Sequence, residues 1–351
     1  MNLVSIVILN WNGKAFLEKF LKILIKHSKI PGVEIIIADN ASTDDSLLFL
    51  EENFPDIKII SFDKNYGFTE GYNKALQQLE SKYYLLLNSD IEVTEGWLEP
   101  LINFMEQNAD VAACGPKILD YNRRTHFEYA GAAGGFIDKY GYTFCRGRIF
   151  DFLEEDTGAY DQGVDIFWAS GACLMVRSDI FHEAGGFDPY FFAHMDEVDL
   201  CWRIKKRGHR ICFVPDSCIF HVGGGTLPKS NPFKTYLNFR NNLLLLYKNL
   251  PGKGFYRIFF TRMILDGISA FRFLIRGAFK DFKAVFKAHI DFYSVRKGYR
   301  KFRQENIYPS NYVIFAEIYP RSIIVDFFLL KRRTFYQLRN RFNDLNKQSG
   351  K

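Results

Sequence analysis

The sequence lacks the features of secreted, membrane-spanning and disordered proteins. Its six cysteines include no CxxC pair, and no signal peptide opens the chain, so a reducing, cytoplasmic location is expected. No charge-free apolar run approaches the roughly 20 residues that a membrane-spanning helix needs. With 48% hydrophobic and 25% charged residues among 351, the composition excludes a disordered or collagen-like chain and predicts one large globular domain or two smaller ones.

Acidic residues are scarce in the last third of the chain. From residue 252 onward there are 21 basic and 7 acidic residues, a net charge of +14, whereas the first 251 residues carry −8. Such asymmetry indicates an anionic partner for the tail, such as phospholipid, nucleic acid or a phosphorylated substrate. Nucleic acid is the weakest of these because no recognised nucleic-acid-binding module accompanies the charge, and we expect none to bind.

Short apolar runs alternate with helical patterns through the first ninety residues. The runs at 4–9, 33–38, 57–61 and 83–87 predict strands, and the segments 16–25, 46–52 and 69–79 predict helices. Strands that are apolar at nearly every position and separated by helices are typical of a parallel sheet covered on both faces. We therefore predict an α/β head over residues 1–228 and a helical, basic and aromatic extension over residues 229–351.

Polar side chains follow all four predicted strands. They are the segments NWNG at 10–13, DNASTDD at 39–45, KNYG at 64–67 and NSD at 88–90. Ligands of open α/β sheets bind beyond the carboxyl ends of the strands, so these segments predict a site at that edge. For Ser42 or Thr43 the alternative is an N-cap of the next helix.

The motifs resemble those of the family 2 glycosyltransferases, in particular the rhamnosyltransferase-like branch. The resemblance covers about residues 3–245 and is carried by SIVILNWN at 5–12, DNASTD at 39–44, NxGF at 65–68, NSD at 88–90 and DExDLCWR at 196–203. It implies a GT-A fold with a mixed, mostly parallel sheet. It also implies transfer, with inversion, from a UDP- or dTDP-sugar to a glycan or lipid-linked acceptor in cell-surface polysaccharide synthesis.

The resemblance implies a donor side built from strand ends. Asp39 matches the aspartate that recognises the base or ribose of the nucleotide, and a strand-end carboxylate can accept a hydrogen bond from either. A helix-capping role is the alternative for Asp39. The other donor-binding residues expected are Asn10, Asn12, Asn40, Asn65, Gly67, Asn88 and Arg240. For Arg240, phosphate contact and helix packing are both open.

Asp90 matches the last acid of the family's DxD motif, which implies a divalent cation, Mg²⁺ or Mn²⁺. One or two carboxylates, with water and phosphate oxygens, can hold such a cation beside a pyrophosphate. Asn88 replaces the first acid of the motif, so we expect weak metal binding without the nucleotide. His221 matches a family histidine near the diphosphate, where metal ligation, phosphate contact and an ordinary loop role remain open.

Asp196 and Glu197 align with the family's Glu-Asp pair, whose second carboxylate is the catalytic base. The resemblance therefore implies that Glu197 takes the proton of the acceptor hydroxyl. The alternative for these acids and Asp199 is a solvated helix face on which Asp199 pairs with Arg203, four residues away. The acceptor side is expected to include Asp196, Trp168 and Gly171.

The tail contains an apolar stripe interleaved with basic residues. The apolar positions are Met263, Ile264, Ile268, Phe271, Leu274, Ile275, Phe279, Phe282, Val285 and Phe286. The basic positions are Arg257, Arg262, Arg272, Arg276, Lys280, Lys283 and Lys287. A basic amphipathic helix of this kind lies in a membrane interface, which predicts a peripheral enzyme on the cytoplasmic face of the inner membrane. Packing on the head or on a second subunit is the alternative, and the oligomeric state is open.

Two other functions fit parts of the sequence. A sugar nucleotidyltransferase shares the sheet type, although its glycine- and lysine-rich loop after the first strand is missing. A membrane-bound nucleotide-sugar binder without turnover is consistent with Asn88 and Glu197, which depart from the family's residue types. No motif specifies the donor sugar, the acceptor or the linkage.

Overall fold

The computed structural model describes residues 1–223, 231–252, 254–305 and 315–342. The strands of these residues are β1 (Asn2–Asn10), β2 (Val33–Asp39), β3 (Lys58–Ser61), β4 (Ser81–Leu87), β5 (Ile91–Val93), β6 (Val111–Asp120), β7 (Gly135–Asp138), β8 (Thr143–Cys145), β9 (Arg148–Ile149), β10 (Phe152–Leu153), β11 (Val164–Asp165), β12 (Cys173–Arg177), β13 (Arg210–His221) and β14 (Ile318–Tyr319). The helices are α1 (Lys14–His27), α2 (Ser46–Asn53), α3 (Gly67–Leu76), α4 (Leu98–Gln107), α5 (Ser178–Glu183), α6 (Asp196–Lys206), α7 (Pro232–Asn249), α8 (Phe255–Ile275), α9 (Phe279–Val295), α10 (Arg300–Glu305) and α11 (Tyr336–Phe342).

The large sheet is mixed. Its strand order is β11-β13-β6-β12-β4-β1-β2-β3, with β5 paired to β13. The strands β3, β2, β1 and β4 are mutually parallel, whereas β12 runs antiparallel to both β4 and β6. The four predicted strands and three predicted helices of the first ninety residues are confirmed. Because β1, β2 and β4 are parallel, the polar segments that follow them meet at one edge of the sheet.

Helices cover the sheet on both faces. In β1, Ile6 packs into a core cluster that includes Leu17 of α1 and Leu101 of α4, while Val7 packs into a second cluster that includes Tyr72 of α3. The second cluster continues through α6 and α7. Burial on both faces explains why the strands are apolar at nearly every position.

A smaller sheet joins the tail to the head. Its order is β10-β9-β8-β7-β14, and β14 comes from the end of the chain and pairs parallel to β7. Nearby, the Ile323 amide donates to Asp138 Oδ2 at 3.0 Å. The predicted domain boundary between residues 228 and 229 lies outside the described residues. The strand β14 of the tail therefore belongs to a sheet whose other strands come from the head.

A buried charge network joins α6 to α7. Asp199, which is fully buried, accepts hydrogen bonds from Arg203 Nε at 2.9 Å, Lys248 Nζ at 2.8 Å and Asn249 Nδ2 at 2.8 Å. Burial alone would raise the pKa of Asp199, but the charges of Lys248 and Arg203 outweigh it and lower that pKa. The pairing of Asp199 with Arg203 is therefore present, but the prediction of a solvated face was wrong for this residue.

The helices α8 and α9 divide the predicted apolar stripe. Gly277, at φ 72°, separates the two helices, so the stripe does not lie on one continuous helix. Arg262 is buried in an ion pair with Asp266, Nε to Oδ1 at 2.7 Å, and its assignment to the basic surface was wrong. Val285 is buried as well. In the described part of the chain, no helix combines the length and the apolar character that crossing a bilayer requires.

We predict that Asp199→Ala lowers the free energy of unfolding by about 3–5 kcal/mol, because Arg203 and Lys248 then lie buried without their shared counter-charge. Urea denaturation followed by circular dichroism measures the change. The matched control is Glu51→Ala, which removes an exposed acid from α2 and should change stability by less than about 0.5 kcal/mol. Similar losses in the two variants would contradict the importance of the network.

Candidate active site

The ends of β1 and β2 are joined by their own polar side chains. Asn10 Nδ2 donates to Asp39 Oδ1 at 3.0 Å and to Ser42 Oγ at 3.1 Å, and Asp39 Oδ2 accepts from the Ser42 amide at 2.9 Å. Asp39 is only 1% exposed. Both of its carboxylate oxygens therefore have partners. The helix α2 begins only at Ser46, with Asp45 at its N-cap position, so the helix-capping alternatives for Asp39, Ser42 and Thr43 were wrong. In the described structure Asn10 Oδ1 is buried without a partner, close to Gly13.

The other predicted donor-side asparagines hold neighbouring loops in place. Asn12 Oδ1 accepts from the Thr43 amide at 2.7 Å. Asn40 Nδ2 donates to Asn65 Oδ1 at 2.9 Å and to the Gly67 carbonyl at 3.0 Å. Gly67 has φ 73°, and a Cβ there would lie 2.5 Å from the ring of Phe192, so glycine is required. Asn40, Asn65 and Gly67 thus meet at the start of α3.

A histidine lies between two carboxylates where β4 and β13 end. His221 Nε2 is 3.1 Å from Asp90 Oδ1, and His221 Nδ1 is 3.1 Å from Glu128 Oε2. Burial alone would lower the pKa of His221, but Glu128 and Asp90 outweigh it and raise that pKa to about 10. Burial would raise the pKa of Asp90, whereas the charge and hydrogen bond of His221 hold it below its usual range. His221 is therefore a cation between two carboxylates.

Glu128 was not predicted from the sequence. It lies eight residues beyond β6, in a segment that matches no motif, and is only 5% exposed. The nearest sequence signal is the glycine-rich run that begins at Gly131, and glycines alone do not identify an acidic partner. Contact with His221, 93 residues away along the chain, is a consequence of the fold.

The donor set at this strand end fits a divalent cation. Carboxylate oxygens and the nitrogen of a neutral imidazole are ligands for Mn²⁺, and Asp90 and His221 lie 3.1 Å apart. Asp90 could bind the cation directly, whereas His221 would bind it only after losing a proton. In the described residues no cluster of three or more His, Cys, Asp or Glu is arranged to hold a metal on its own. A cation bound here would therefore use phosphate oxygens as further ligands.

The loop of residues 170–172 connects this strand end to Glu197. The Ala172 carbonyl accepts from the Asn88 amide at 2.9 Å. Gly171 packs against Glu197, whose Cβ lies 3.8 Å from the position that a Cβ on Gly171 would take. The structure therefore brings Asn88, Gly171 and Glu197 together, and Asp90 lies two residues beyond Asn88.

Glu197 lies partly exposed in the first turn of α6, between two buried acids. Burial raises its pKa to about 7, although hydrogen bonds from the helix N-terminus oppose the shift. Burial and the charge of Glu197 raise the pKa of Asp196 well above its usual value, and Asp196 Oδ2 has no partner among the described residues. A carboxylate that titrates near neutral pH is suited to accept a proton from a hydroxyl.

Two other predicted site residues have partners within the protein. Trp168 is 3% exposed, and its Nε1 donates to the Phe136 carbonyl at 3.0 Å. The guanidinium of Arg240 donates to the carbonyls of Tyr190 at 2.7 Å and Phe191 at 3.1 Å. Of the two roles considered for Arg240, these contacts match helix packing.

Comparison with known proteins identifies the family. The chain belongs to Glycosyl transferase family 2, whose model matches residues 5–183. The N-acetylglucosaminyl-diphospho-decaprenol L-rhamnosyltransferase of Mycobacterium tuberculosis is 25% identical over 239 residues, which are 63% of this chain and 76% of that protein. The predicted resemblance to the family is confirmed, and the chain is a glycosyltransferase.

Solved structures show the same fold. GalNAc-T7 with UDP, GalNAc and Mn²⁺ matches with a TM-score of 0.56 at 16% identity, over 70% of this chain and 48% of that one. The mannosyltransferase PcManGT from Pyrobaculum calidifontis, in complex with GDP-Man and Mn²⁺, matches with a TM-score of 0.50 at 13% identity, over 86% and 82% of the two chains. The predicted GT-A fold is confirmed, and the chain spans about half the length of GalNAc-T7.

We predict that the rate of sugar transfer falls as the pH decreases through about 7, because Glu197 accepts a proton only when ionised and its raised pKa leaves it protonated below that pH. The titratable groups that interact electrostatically with it are Asp196, Cys145 and Cys201. Release of nucleoside diphosphate, measured between pH 5 and 9, gives the profile.

Two substitutions test whether this pH dependence comes from the Glu197 carboxylate. Glu197→Gln retains size and polarity but cannot accept a proton, so turnover should fall by about 10²-fold or more without loss of nucleotide affinity. Asp196→Asn changes the neighbouring carboxylate in the same way. If Asp196→Asn abolished transfer and Glu197→Gln did not, the assignment of the base would be off by one residue.

Proposed function

We propose that this chain is an inverting, divalent-metal-dependent transferase that moves a sugar from a UDP- or dTDP-activated donor to a glycan or lipid-linked acceptor in cell-surface polysaccharide synthesis. The observation that carries the proposal is the loop of residues 170–172, which contacts Glu197 and also Asn88, two residues before Asp90 of the Asp90–His221 pair. The name of the M. tuberculosis relative supports a rhamnosyl donor and a lipid-linked acceptor.

The proposed reaction is a single displacement. Glu197 takes the proton of the acceptor hydroxyl as the hydroxyl oxygen bonds to the anomeric carbon of the donor sugar. The bond between that carbon and the phosphate oxygen breaks, and the nucleoside diphosphate leaves with the electron pair. Attack on the face opposite the leaving group inverts the anomeric centre, and no covalent intermediate is formed.

Asp90 and His221 would hold the divalent cation together with the donor diphosphate. When bound, the cation would neutralise the negative charge that develops on the leaving group. The presence of Mn²⁺ in both of the solved structures described above supports this assignment. The nucleotide would lie at the neighbouring edge, where Asp39 and Asn40 hold the loops that follow β1 and β2.

We also propose that α8 and α9 hold the enzyme on an anionic membrane surface, at the cytoplasmic face. The polarity of α8 is inverted, because Arg262 and Asp266 are buried while Ile268 and Ile275 are 60% and 71% exposed. Other apolar side chains of this face are also exposed: Phe260, Met263, Ile264, Phe271, Leu274, Phe279, Phe286 and Ile290. Exposed apolar area of this size is typical of a surface that meets lipid or another protein.

Exposed basic residues accompany the apolar face and favour lipid as its partner. They are Arg257, Arg272, Arg276, Lys280, Lys283 and Lys287. Each basic residue near an anionic bilayer contributes roughly 1 kcal/mol to binding, and the apolar side chains can enter the acyl boundary. The charge would repel a second copy of the same face, so an anionic bilayer fits this surface better than a dimer does.

A donor screen tests the proposed function. Purified protein is incubated with UDP-, dTDP- and GDP-sugars one at a time, with Mn²⁺ or with excess EDTA, and the products are identified. We predict nucleoside diphosphate from one UDP- or dTDP-sugar with Mn²⁺ only. Sugar 1-phosphate or pyrophosphate would indicate a nucleotidyltransferase, binding without turnover would indicate a non-catalytic binder, and full activity in EDTA would contradict the metal assignment.

A variant pair locates the metal within that screen. Asp90→Asn removes an anionic ligand where leaving-group charge develops, so turnover should fall by about 10²-fold or more. Binding of Mn²⁺ in the presence of UDP, measured by electron paramagnetic resonance, should weaken in parallel. Asp110→Asn is the matched control, since Asp110 is paired with Arg210 at the opposite end of β6. Equal Mn²⁺ affinity in both variants would exclude Asp90 as a ligand.

We predict that the protein floats with anionic vesicles at low salt and remains in solution with zwitterionic ones. Ile268→Glu combined with Ile275→Glu should abolish flotation, whereas Leu48→Glu, at a 53% exposed position on α2, should not. The test uses substitutions and not a truncated protein, because removal of the tail would also remove β14 from the smaller sheet. Absence of flotation, together with a dimer in sedimentation that the double variant disrupts, would assign the surface to a second copy.

A further inference from the structure

The segment of residues 190–195, immediately before α6, has an unusual backbone. Three of its non-glycine residues have positive φ: Phe192 at 64°, His194 at 69° and Met195 at 65°. Residues with a Cβ rarely adopt this region, so surrounding contacts must impose the conformation. The Met195 carbonyl accepts from the Asp199 amide at 3.0 Å, the first backbone hydrogen bond of α6. The segment therefore determines where α6 begins and where Glu197 lies.

One asparagine of α7 contacts three carbonyls of this segment. Asn241 Nδ2 lies 2.9 Å from the oxygen of Phe191 and 2.8 Å from the oxygens of Ala193 and His194. Asn241 is fully buried, and its Oδ1 accepts from Arg240 Nε at 2.9 Å. The amide is thus oriented by its neighbour and holds the part of the segment that is nearest to the base.

The other part of the segment has independent anchors. The Phe192 carbonyl accepts from the amides of Phe68 at 3.0 Å and Thr69 at 3.3 Å, both in the first turn of α3. The Phe191 carbonyl also accepts from Arg240. Loss of the Asn241 amide would therefore remove the hydrogen bonds to the carbonyls of Ala193 and His194. The contact of Phe192 with α3, on the donor side, would be retained.

We propose that Asn241 is a positioning residue, which holds residues 193–195 so that α6 presents the Glu197 carboxylate to the acceptor. The proposal rests on the proposed function, in which Glu197 is the base. In this role, Arg240 and Asn241 of α7 contribute to catalysis without contacting the donor. A side-chain amide that holds the backbone in a sparsely populated conformation affects catalysis by fixing where the reacting group lies. Misplacement of a reacting group by about 1 Å can lower the rate about 10²-fold.

Asn241→Ala tests the proposal against Asn242→Ala. The control removes an adjacent buried amide, which donates to the Gly141 carbonyl at 2.5 Å, beside the smaller sheet. It contacts the segment only through the Met195 sulfur, at 4.0 Å, and not through a backbone carbonyl. We expect Asn241→Ala to lower kcat by about 10²-fold and to leave the affinity for UDP or dTDP with Mn²⁺ unchanged by calorimetry. The pH profile should also shift toward acid, because a displaced Glu197 is more solvated and less close to Asp196, Cys145 and Cys201. Asn242→Ala should retain the kcat and the pH profile of the unmodified protein.

The outcomes separate this inference from the proposed function. If Asn241→Ala and Asn242→Ala had the same kcat and pH profile while Glu197→Gln was inactive, the positioning role alone would be overturned. An active Glu197→Gln would instead overturn the proposed base. Should Asn241→Ala fail to fold, Arg240→Lys retains the charge but loses the paired carbonyl contacts, and it should lower kcat without changing nucleotide affinity. Unchanged kcat in a folded Arg240→Lys protein would overturn the inference.

Discussion

Three carboxylates lie in the first turn of α6, two of them buried, and the rest of the site depends on how their charges are balanced. Asp199 is neutralised by Lys248 and Arg203, and its negative charge is stabilised. Asp196 has no such cation and favours its protonated form. Glu197 lies between these extremes, so a single helix N-terminus contains an ionised acid, a neutral acid and one that titrates near neutral pH.

The tail is required for this arrangement because it supplies the groups that hold α6. Lys248 and Asn249 of α7 bind Asp199, while Arg240 and Asn241 bind the carbonyls that precede the helix. The helix α7, which holds α6, is followed along the chain by α8 and α9, which present an apolar and basic surface. Catalytic geometry and the proposed membrane contact are therefore built on one continuous set of packed helices.

Local patterns predicted the parallel strands and the polar segments at their ends, because strand periodicity and turn chemistry are encoded within a few residues. The ion pair of His221 with Glu128 and the contacts of Asn241 could not be predicted, since they join residues about 50 to 100 positions apart along the chain. The stripe after residue 260 was predicted as continuous because helical spacing persists through Gly277. A positive φ at that glycine ends the first helix.

The surroundings of the Glu197 carboxyl raise its pKa to about 7, so it should exchange a proton near neutral pH. Carbon-13 NMR of protein labelled at the glutamate carboxyl carbons, titrated from pH 4 to 9, measures this directly, and Glu197→Gln assigns the resonance. We predict one resonance that is absent from the variant and has a midpoint near pH 7. A Glu197 resonance that titrates at about 4.3, the usual glutamate pKa, would contradict it.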